Sequence, residues 1–394
     1  MKEMEYHNNK IEYQVIKTKY DYRLLYIVVG LISIGVMAVA SATFPMCLSK
    51  HLNAFYYIVQ HIVWIILGWF GLRWFTKYNY KNLKQHTFSF AIFVIVLLLI
   101  VKFTPLGVTI NHARRWLNLG LFQFQPSEFT KLAVIMLFAN LFSIKNKIIN
   151  EKGFMHFLLV GIMLGLVLIQ PNLSMVLILS FISLLMYFVS GRTLKYVGIS
   201  LIIPVALVVL LKMHVIELSQ FLQPHQISRI HNFTNPKPDI ECEGYQVYHS
   251  MIAIASGGFF GQGFGASKEK LGWLPEAHTD FIFSVIAEEM GYLGCFIIVL
   301  LFLTLFTRGL LIGYKCPDMY GRLLAIGITN LITIQAFFNI SVATSFLPAT
   351  GITLPFISYG GSSLFVCMCL IGILLNISKT QTRRVFIKGR FNEK

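Results

Sequence analysis

Charge is what this chain has least of. Asp, Glu, Lys and Arg make up 13% of its 394 residues, against about 25% in an ordinary soluble domain. The length would allow several soluble domains, but so few charged residues could not clothe them. Acidic residues are the scarcer sign, 17 against 33 Lys and Arg, for a net charge of +16. Internal repeats and low-complexity tracts are absent. The six cysteines have no metal-ligand spacing. No nucleic-acid motif accompanies the positive charge, which reads as anchoring to anionic lipid. The glycine-rich stretch Ser256-Gly257-Gly258-Phe259-Phe260-Gly261-Gln262-Gly263-Phe264-Gly265 lacks a Walker pattern and reads as a tight loop. No cleavable signal peptide is expected, because the polar segment Met1–Tyr22 precedes the first apolar run.

Apolar residues are abundant instead, at 56% of the chain with a mean hydropathy of +0.68. Ten runs approach the roughly 20 residues that a spanning helix needs. They are Leu24–Ala42, Phe55–Phe75, Phe88–Leu106, Phe129–Ile144, Phe157–Ile169, Leu173–Val189, Tyr196–Val215, Phe281–Phe306, Leu323–Val342 and Ser362–Ile377. The fifth and sixth are parted only by Gln170-Pro171-Asn172, so they read as two spans or one broken hairpin. With the N-terminus in the cytoplasm, 23 of the 33 Lys and Arg fall on inside segments and 8 on outside loops, which is the positive-inside bias. The expected fold is an all-α polytopic membrane protein of about ten spans, with a large extracytoplasmic loop between helices 7 and 8. Residues 1–23 form a cytoplasmic segment, 24–377 the membrane domain and 378–394 a basic cytoplasmic tail, both ends being expected to be mobile. Cys47 and Cys242 both fall outside, where a disulfide could join them.

Three outside segments are candidates for function, since function concentrates on ordered loops held by a rigid scaffold. Gly107–Gln125 carries Arg114, Arg115 and Trp116, read either as an interfacial anchor or as a clamp for phosphate oxygens. Just beyond it, Glu128 and Lys131 are three apart at a helix start and share a face, so they can pair. Glu217–Asp280 ends in Pro275-Glu276-Ala277-His278-Thr279-Asp280. A carboxylate against a spanning run is either a helix-start charge favoured by the dipole or a general base. Glu288 and Glu289 lie further in and are expected to meet polar groups such as Gln335 or Asn339. Ala343–Gly361 has no Lys, Arg, Asp or Glu, and its Pro/Gly punctuation implies irregular backbone at membrane depth.

Taken in order, Ala113-Arg114-Arg115-Trp116, Phe124-Gln125-Pro126-Ser127-Glu128-Phe129-Thr130-Lys131, Gly244-Tyr245-Gln246 to Gly263, Leu274 to Glu289 and Leu354 to Ser363 resemble the SEDS family (shape, elongation, division and sporulation). The wording Pro275–Asp280 and Gly265-Ala266-Ser267 looks more like the division branch than the elongation branch. The resemblance implies a glycosyltransferase that polymerises lipid II, an undecaprenyl-diphosphate-linked disaccharide peptide, beside a class B penicillin-binding protein transpeptidase and other division-complex membrane proteins. It implies that Asp280 is the base and that Arg114, Arg115 and Trp116 border the site, with Glu128, Lys131 and His278 nearby. Lys268 is a further candidate for the leaving group's charge. No cofactor is implied, although a divalent cation could share that charge. Two departures stand out: Asn172 replaces the family's Asp in Gln170-Pro171-Asn172-Leu173-Ser174-Met175, and His225-Gln226 replaces its Tyr-Arg ahead of Arg229. A lipid II flippase is the rival reading, and a scaffold that only recruits a transpeptidase is a third.

Overall fold

The computed structural model describes residues 11–17, 19–51, 53–110, 113–118, 120, 123–144, 146–191 and 243–386. The run Tyr196–Val215, the loop up to 242 with Gln226, Arg229 and Cys242, and the tail past 386 lie outside the described residues. The other nine apolar runs all fall on helices. In chain order these are α1 (Tyr22–Ser49), α2 (Tyr56–Lys77), the short α3 (Tyr80–Gln85), α4 (Thr87–Phe103), α5 (Ser127–Phe142), α6 (Asn146–Ile169), α7 (Leu173–Val189), α8 (Glu243–Ser256), α9 (Ile282–Lys315), α10 (Met319–Ala343) and α11 (Gly361–Ser378). The junction at Gln170-Pro171-Asn172 resolves as two helices in a tight hairpin. Asn172 caps α7 by accepting from the Met175 amide.

Burial follows from what surrounds each helix. α5 and α11 are buried over almost their whole length, as expected of helices apolar on every face. α10 is largely buried beside them. α1, α2 and α9 lie outside and present large apolar side chains such as Phe70, Trp74, Phe296 and Leu303 to the exterior. Among the described residues five helices are long and apolar enough to cross a membrane, and shorter apolar helices pack among them. An exterior this apolar requires lipid around it.

The connections sort to two ends. At one end, Asp21 meets Arg308 at 2.5 Å and the Ser378 hydroxyl at 3.1 Å. There Asn376 links α11 to Thr76 and to the Tyr80 amide. The described residues nearest either end of the chain meet there. Strand β1 (Ile11–Lys17) pairs antiparallel with β5 (Thr380–Phe386), a ladder that joins segments expected to be mobile. At the other end a small sheet forms from β2 (Gly107–Ile110), β3 (Ala113–Asn118) and β4 (Gln123–Phe124). The α8–α9 and α10–α11 loops gather on the same end.

α9 is not one helix. At Gly291 the backbone takes φ 65°, ψ −164°, and the half-helix Ile282–Met290 breaks away from Tyr292–Lys315. The latter alone is about 36 Å long at ~1.5 Å per residue, enough to span. The half-helix is buried from Ile282 to Glu289. This corrects the expectation that Asp280 opens a spanning helix: it opens a half-helix enclosed in protein. The loop after α8 fills the break. Gln262 and Gly263 donate to the Glu288 and Glu289 carbonyls at 2.9 and 3.0 Å, while the Tyr292 and Leu293 amides donate to Gly258 and Phe259.

A side chain at position 291 has no room. Its Cβ would lie 2.3 Å from the Gly261 nitrogen, on a backbone conformation that essentially only glycine adopts. Gly291→Ala is expected to lower stability by on the order of 3 kcal/mol. The measurement is the thermal midpoint of the purified protein in detergent. Gly161→Ala, where a Cβ meets nothing within 4 Å, should leave the midpoint unchanged or raise it.

Candidate functional site

The Asp280 turn is held by its own backbone. Glu276, at φ 55°, turns its carbonyl inward to accept from the Thr279 and Phe281 amides, and its carboxylate accepts from the Thr279 hydroxyl at 2.9 Å. The next carbonyls point outward, and each finds a donor on another segment. His278 O accepts from the Tyr359 amide at 2.9 Å, Thr279 O from the Ser358 hydroxyl at 2.6 Å, and Asp280 O from the Asn339 side-chain amide at 2.7 Å. The irregular Ala343–Gly361 segment is therefore the partner of the Asp280 turn. Asp280 itself is half-buried, and its Oδ2 lies 3.5 Å from where a Cβ at Gly351 would sit. Gly351 has φ 69°, so the position favours glycine.

His278 packs between Tyr57 and Tyr359, with ring centroids 5.8 and 5.7 Å away. Burial lowers its pKa, and the Glu276 carboxylate only partly opposes this. Its imidazole is neutral at pH 7.

Glu128 and Lys131 do pair. The Lys131 ammonium lies 2.7 Å from the carboxylate, with both side chains almost wholly buried. Lys131 also donates to the Gln335 side-chain oxygen at 2.8 Å. Gln335 and Asn339 share a face of α10, as their spacing of four requires. The sequence reading expects them to meet Glu288 and Glu289, and they do not. Instead they bond Lys131, the Asp280 turn and the 352–353 backbone. The two glutamates are satisfied from elsewhere. Glu288 accepts from the Ser267 hydroxyl and the Lys268 amide at 2.5 and 2.8 Å. Glu289 accepts from Lys270 and Ser41, at 2.6 and 2.5 Å.

Lys270 is thus a buried cation that the sequence reading passed over, while Lys268, the one singled out, has an exposed side chain. Ser267-Lys268-Glu269-Lys270 also carries the Ser-x-x-Lys spacing of acyl-transfer nucleophiles. Its serine and lysine are committed to different glutamates, so the spacing here is structural.

Arg114, Arg115 and Trp116 lie half-buried on β3. Arg114 donates to the Gly107 and Thr104 carbonyls. Arg115 donates to the carbonyls of Gln170, at 2.9 Å, and Pro171. These bonds fasten the hairpin to Thr104 at the end of α4 and to Gln170 and Pro171 at the end of α6. The same end is tied further by the Ser174 hydroxyl to Thr350 O at 2.7 Å and the Gln125 amide to the Ser362 hydroxyl at 3.0 Å. Cys47 is a free buried thiol. Among the described residues, no three His, Cys, Asp or Glu gather as a metal site would need.

One end of a helical membrane bundle thus joins a half-buried carboxylate, a neutral histidine, a buried ion pair and two arginines. A family model described as "Cell cycle protein" (FTSW_RODA_SPOVE) matches residues 22–383. The chain belongs to that family. It is 37% identical to a probable peptidoglycan glycosyltransferase FtsW of Trichlorobacter lovleyi, over 91% of this chain and 93% of the relative. It is 36% identical to stage V sporulation protein E of Bacillus subtilis, over 92% and 98%. Among solved structures it resembles a chain from work on coordinated polymerization and crosslinking by a peptidoglycan synthase complex, with TM-score 0.73, 27% identity and coverage of 91% and 97%. It also resembles the rod shape determining protein RodA of Thermus thermophilus, with TM-score 0.65, 25% identity and coverage of 91% and 96%.

The Glu128–Lys131 pair generates a test. Removing one partner strands a buried charge, which costs on the order of 3–5 kcal/mol. Glu128→Ala and Lys131→Ala are each expected to lower folded yield or activity sharply. Exchanging the two residues should recover part of the loss. Wild-type behaviour of both single variants would show a contact of no energetic consequence.

Proposed function

We propose that this chain is a peptidoglycan glycosyltransferase that polymerises lipid II into glycan strands on the outer face of the cytoplasmic membrane during cell division. The observation that carries the reading is Asp280, fixed through successive backbone carbonyls where three connecting segments of one bundle end meet. In this reading the Asp280 carboxylate takes the proton from the acceptor sugar's 4-hydroxyl. The oxygen then attacks the donor's anomeric carbon, and the bond to the diphosphate breaks. The leaving diphosphate gains charge, which the Arg114 and Arg115 guanidinium charges and the exposed Lys268 ammonium would stabilise. Trp116 and the neutral His278 border the sugars, and the Glu128–Lys131 pair holds the polar floor. A cation on the diphosphate is assigned no protein ligands. The half-helix N-terminus turns the positive end of its dipole toward the Asp280 turn.

The division assignment is supported by the Pro275–Asp280 wording and by relatives named FtsW. The elongation-type polymerase remains the second member of the same class. The strands Ile11–Lys17 and Thr380–Phe386 lie at one end and the site at the other, which with the Lys/Arg bias supports cytoplasmic termini and an outer site. A class B penicillin-binding protein transpeptidase and other division-complex membrane proteins are the partners this reading requires, because the Ser267–Lys270 spacing is committed to structural bonds and crosslinking falls to another chain. Against a flippase, Glu288 and Glu289, the residues that best suggested a polar path, are committed to Ser267, Lys268, Lys270 and Ser41.

Asp280→Asn keeps size and removes the base. Polymer formed per folded molecule, read on gels with labelled lipid II, is expected to fall about 10²- to 10⁴-fold, with folded yield unchanged. Retention within about threefold would remove Asp280 as base and leave Glu276 next. For the orientation, Lys268→Cys in a cysteine-free background should react with an impermeant thiol reagent in intact cells. Reaction only after permeabilisation would reverse the topology.

A further inference from the structure

We propose that Asn339 is a positioning residue for Asp280, and that α10 acts as the gauge that sets Asp280 against the buried Lys131. The inference rests on the reading of Asp280 as base and deepens it.

The amide of Asn339 divides its two hydrogens between two loops. Nδ2 lies 2.7 Å from Asp280 O and 2.6 Å from Ile352 O. Its orientation is settled by chemistry, since the reversed amide would set Oδ1 against two carbonyl oxygens. Asn339 is 1% exposed, so no solvent replaces these bonds if they are lost. One turn earlier on the same face, Gln335 repeats the arrangement. Its Nε2 donates to Thr353 O at 3.0 Å and its Oε1 accepts from Lys131 at 2.8 Å. The 352–353 backbone is therefore gripped by both amides. The upper amide carries the grip to the Asp280 turn, and the lower carries it to the Glu128–Lys131 pair. Both hang from one helix whose rise fixes their separation. Of the three donors on the Asp280 turn, Tyr359 N and Ser358 Oγ belong to the same irregular segment as Ile352 and could move with it. Asn339 is the one that belongs to a regular helix, so it refers the carboxylate to the rigid bundle. Next to this grip, Gly351 flanks the Asp280 Oδ2 without a side chain, which makes the gap between loop and carboxylate sensitive to small shifts.

A base displaced by a fraction of its hydrogen-bond length loses rate without losing substrate. Misplacement of about 1 Å costs on the order of 10²-fold. Asn339→Asp keeps the shape, loses both donors and turns oxygens toward the two carbonyls. Its turnover per folded molecule at saturating lipid II is expected to fall at least tenfold, on the order seen for misplaced catalytic groups, with the half-saturating lipid II concentration changed by less than about threefold. Because Asn339 acts through Asp280, the Asp280→Asn/Asn339→Asp double variant should be no slower than Asp280→Asn alone. Asn339→Ser, which keeps one donor on a shorter arm, serves as the second variant if Asn339→Asp does not accumulate, with the same double-variant expectation. Multiplicative losses in the double variant, or turnover of the single variant within twofold of wild type, would overturn the positioning role alone. Wild-type turnover of Asp280→Asn would overturn the base assignment, and the positioning role with it.

Discussion

A chain that leaves the helical path inside a bilayer must find a partner for every backbone group it frees, because lipid offers none. That constraint organises this protein. It breaks the helical path at Gly291, at the Asp280 turn and along residues 344–360, and each break is closed by another segment of the chain. The Gly291 break takes its donors and acceptors from the 258–263 loop. The carbonyls of His278, Thr279 and Asp280 take theirs from Tyr359, Ser358 and Asn339. The Leu354 amide in turn rests on the Ser358 hydroxyl at 2.7 Å. A carboxylate reaches this depth with a fixed position because the backbone beneath it has no remaining freedom to give.

Buried charge obeys the same logic. Lys131 with Glu128 and Lys270 with Glu289 are ion pairs with side chains 2–6% exposed. Pairs this deep repay their desolvation only when further hydrogen bonds complete them. Gln335 completes the first and Ser41 the second. Neither pair is merely local in effect. The first reaches from α5 to α10, and the second joins the loop before Asp280 to α1 and the half-helix. The charges register elements that apolar packing alone would leave free to slide, since lipid and leucine are equally comfortable neighbours for a helix face.

Much of this was legible in the sequence. Long apolar runs gave nine described helices, and the Lys/Arg bias agrees with the two-ended sorting of the loops. The i, i+3 spacing gave the Glu128–Lys131 pair, and i, i+4 put Gln335 and Asn339 on one face. The partners of that face were not legible, because they come from loops distant in sequence. Gly291 sits in Met290-Gly291-Tyr292-Leu293, where hydropathy reads straight through, and only a backbone conformation marks the break. Lys270 was hidden for a related reason: burial is a property of the assembled loop, and in sequence it stands beside the exposed Lys268. The β1–β5 ladder pairs the two ends of the chain, a separation no local pattern reports. Two outer arginines suggested anion binding. The structure shows both of them binding carbonyls, contacts that no spacing in the sequence announces.

Rigidity bears on which rival reading fits. A carrier must let the elements around its ligand exchange between two arrangements, and its equilibrium can shift only as far as differential contacts allow. Moving the Asp280 turn would release at least three hydrogen bonds to separate segments, and moving α10 would disturb the Lys131 pair as well. A buried acceptor left unmatched costs about 1–3 kcal/mol, so the displaced state would lie several such costs above the observed one. Transition-state stabilisation asks for the reverse property, groups already in place before charge develops. The over-determined Asp280 turn has that property, which is why the bonding of its backbone, more than the presence of its carboxylate, argues for a polymerase.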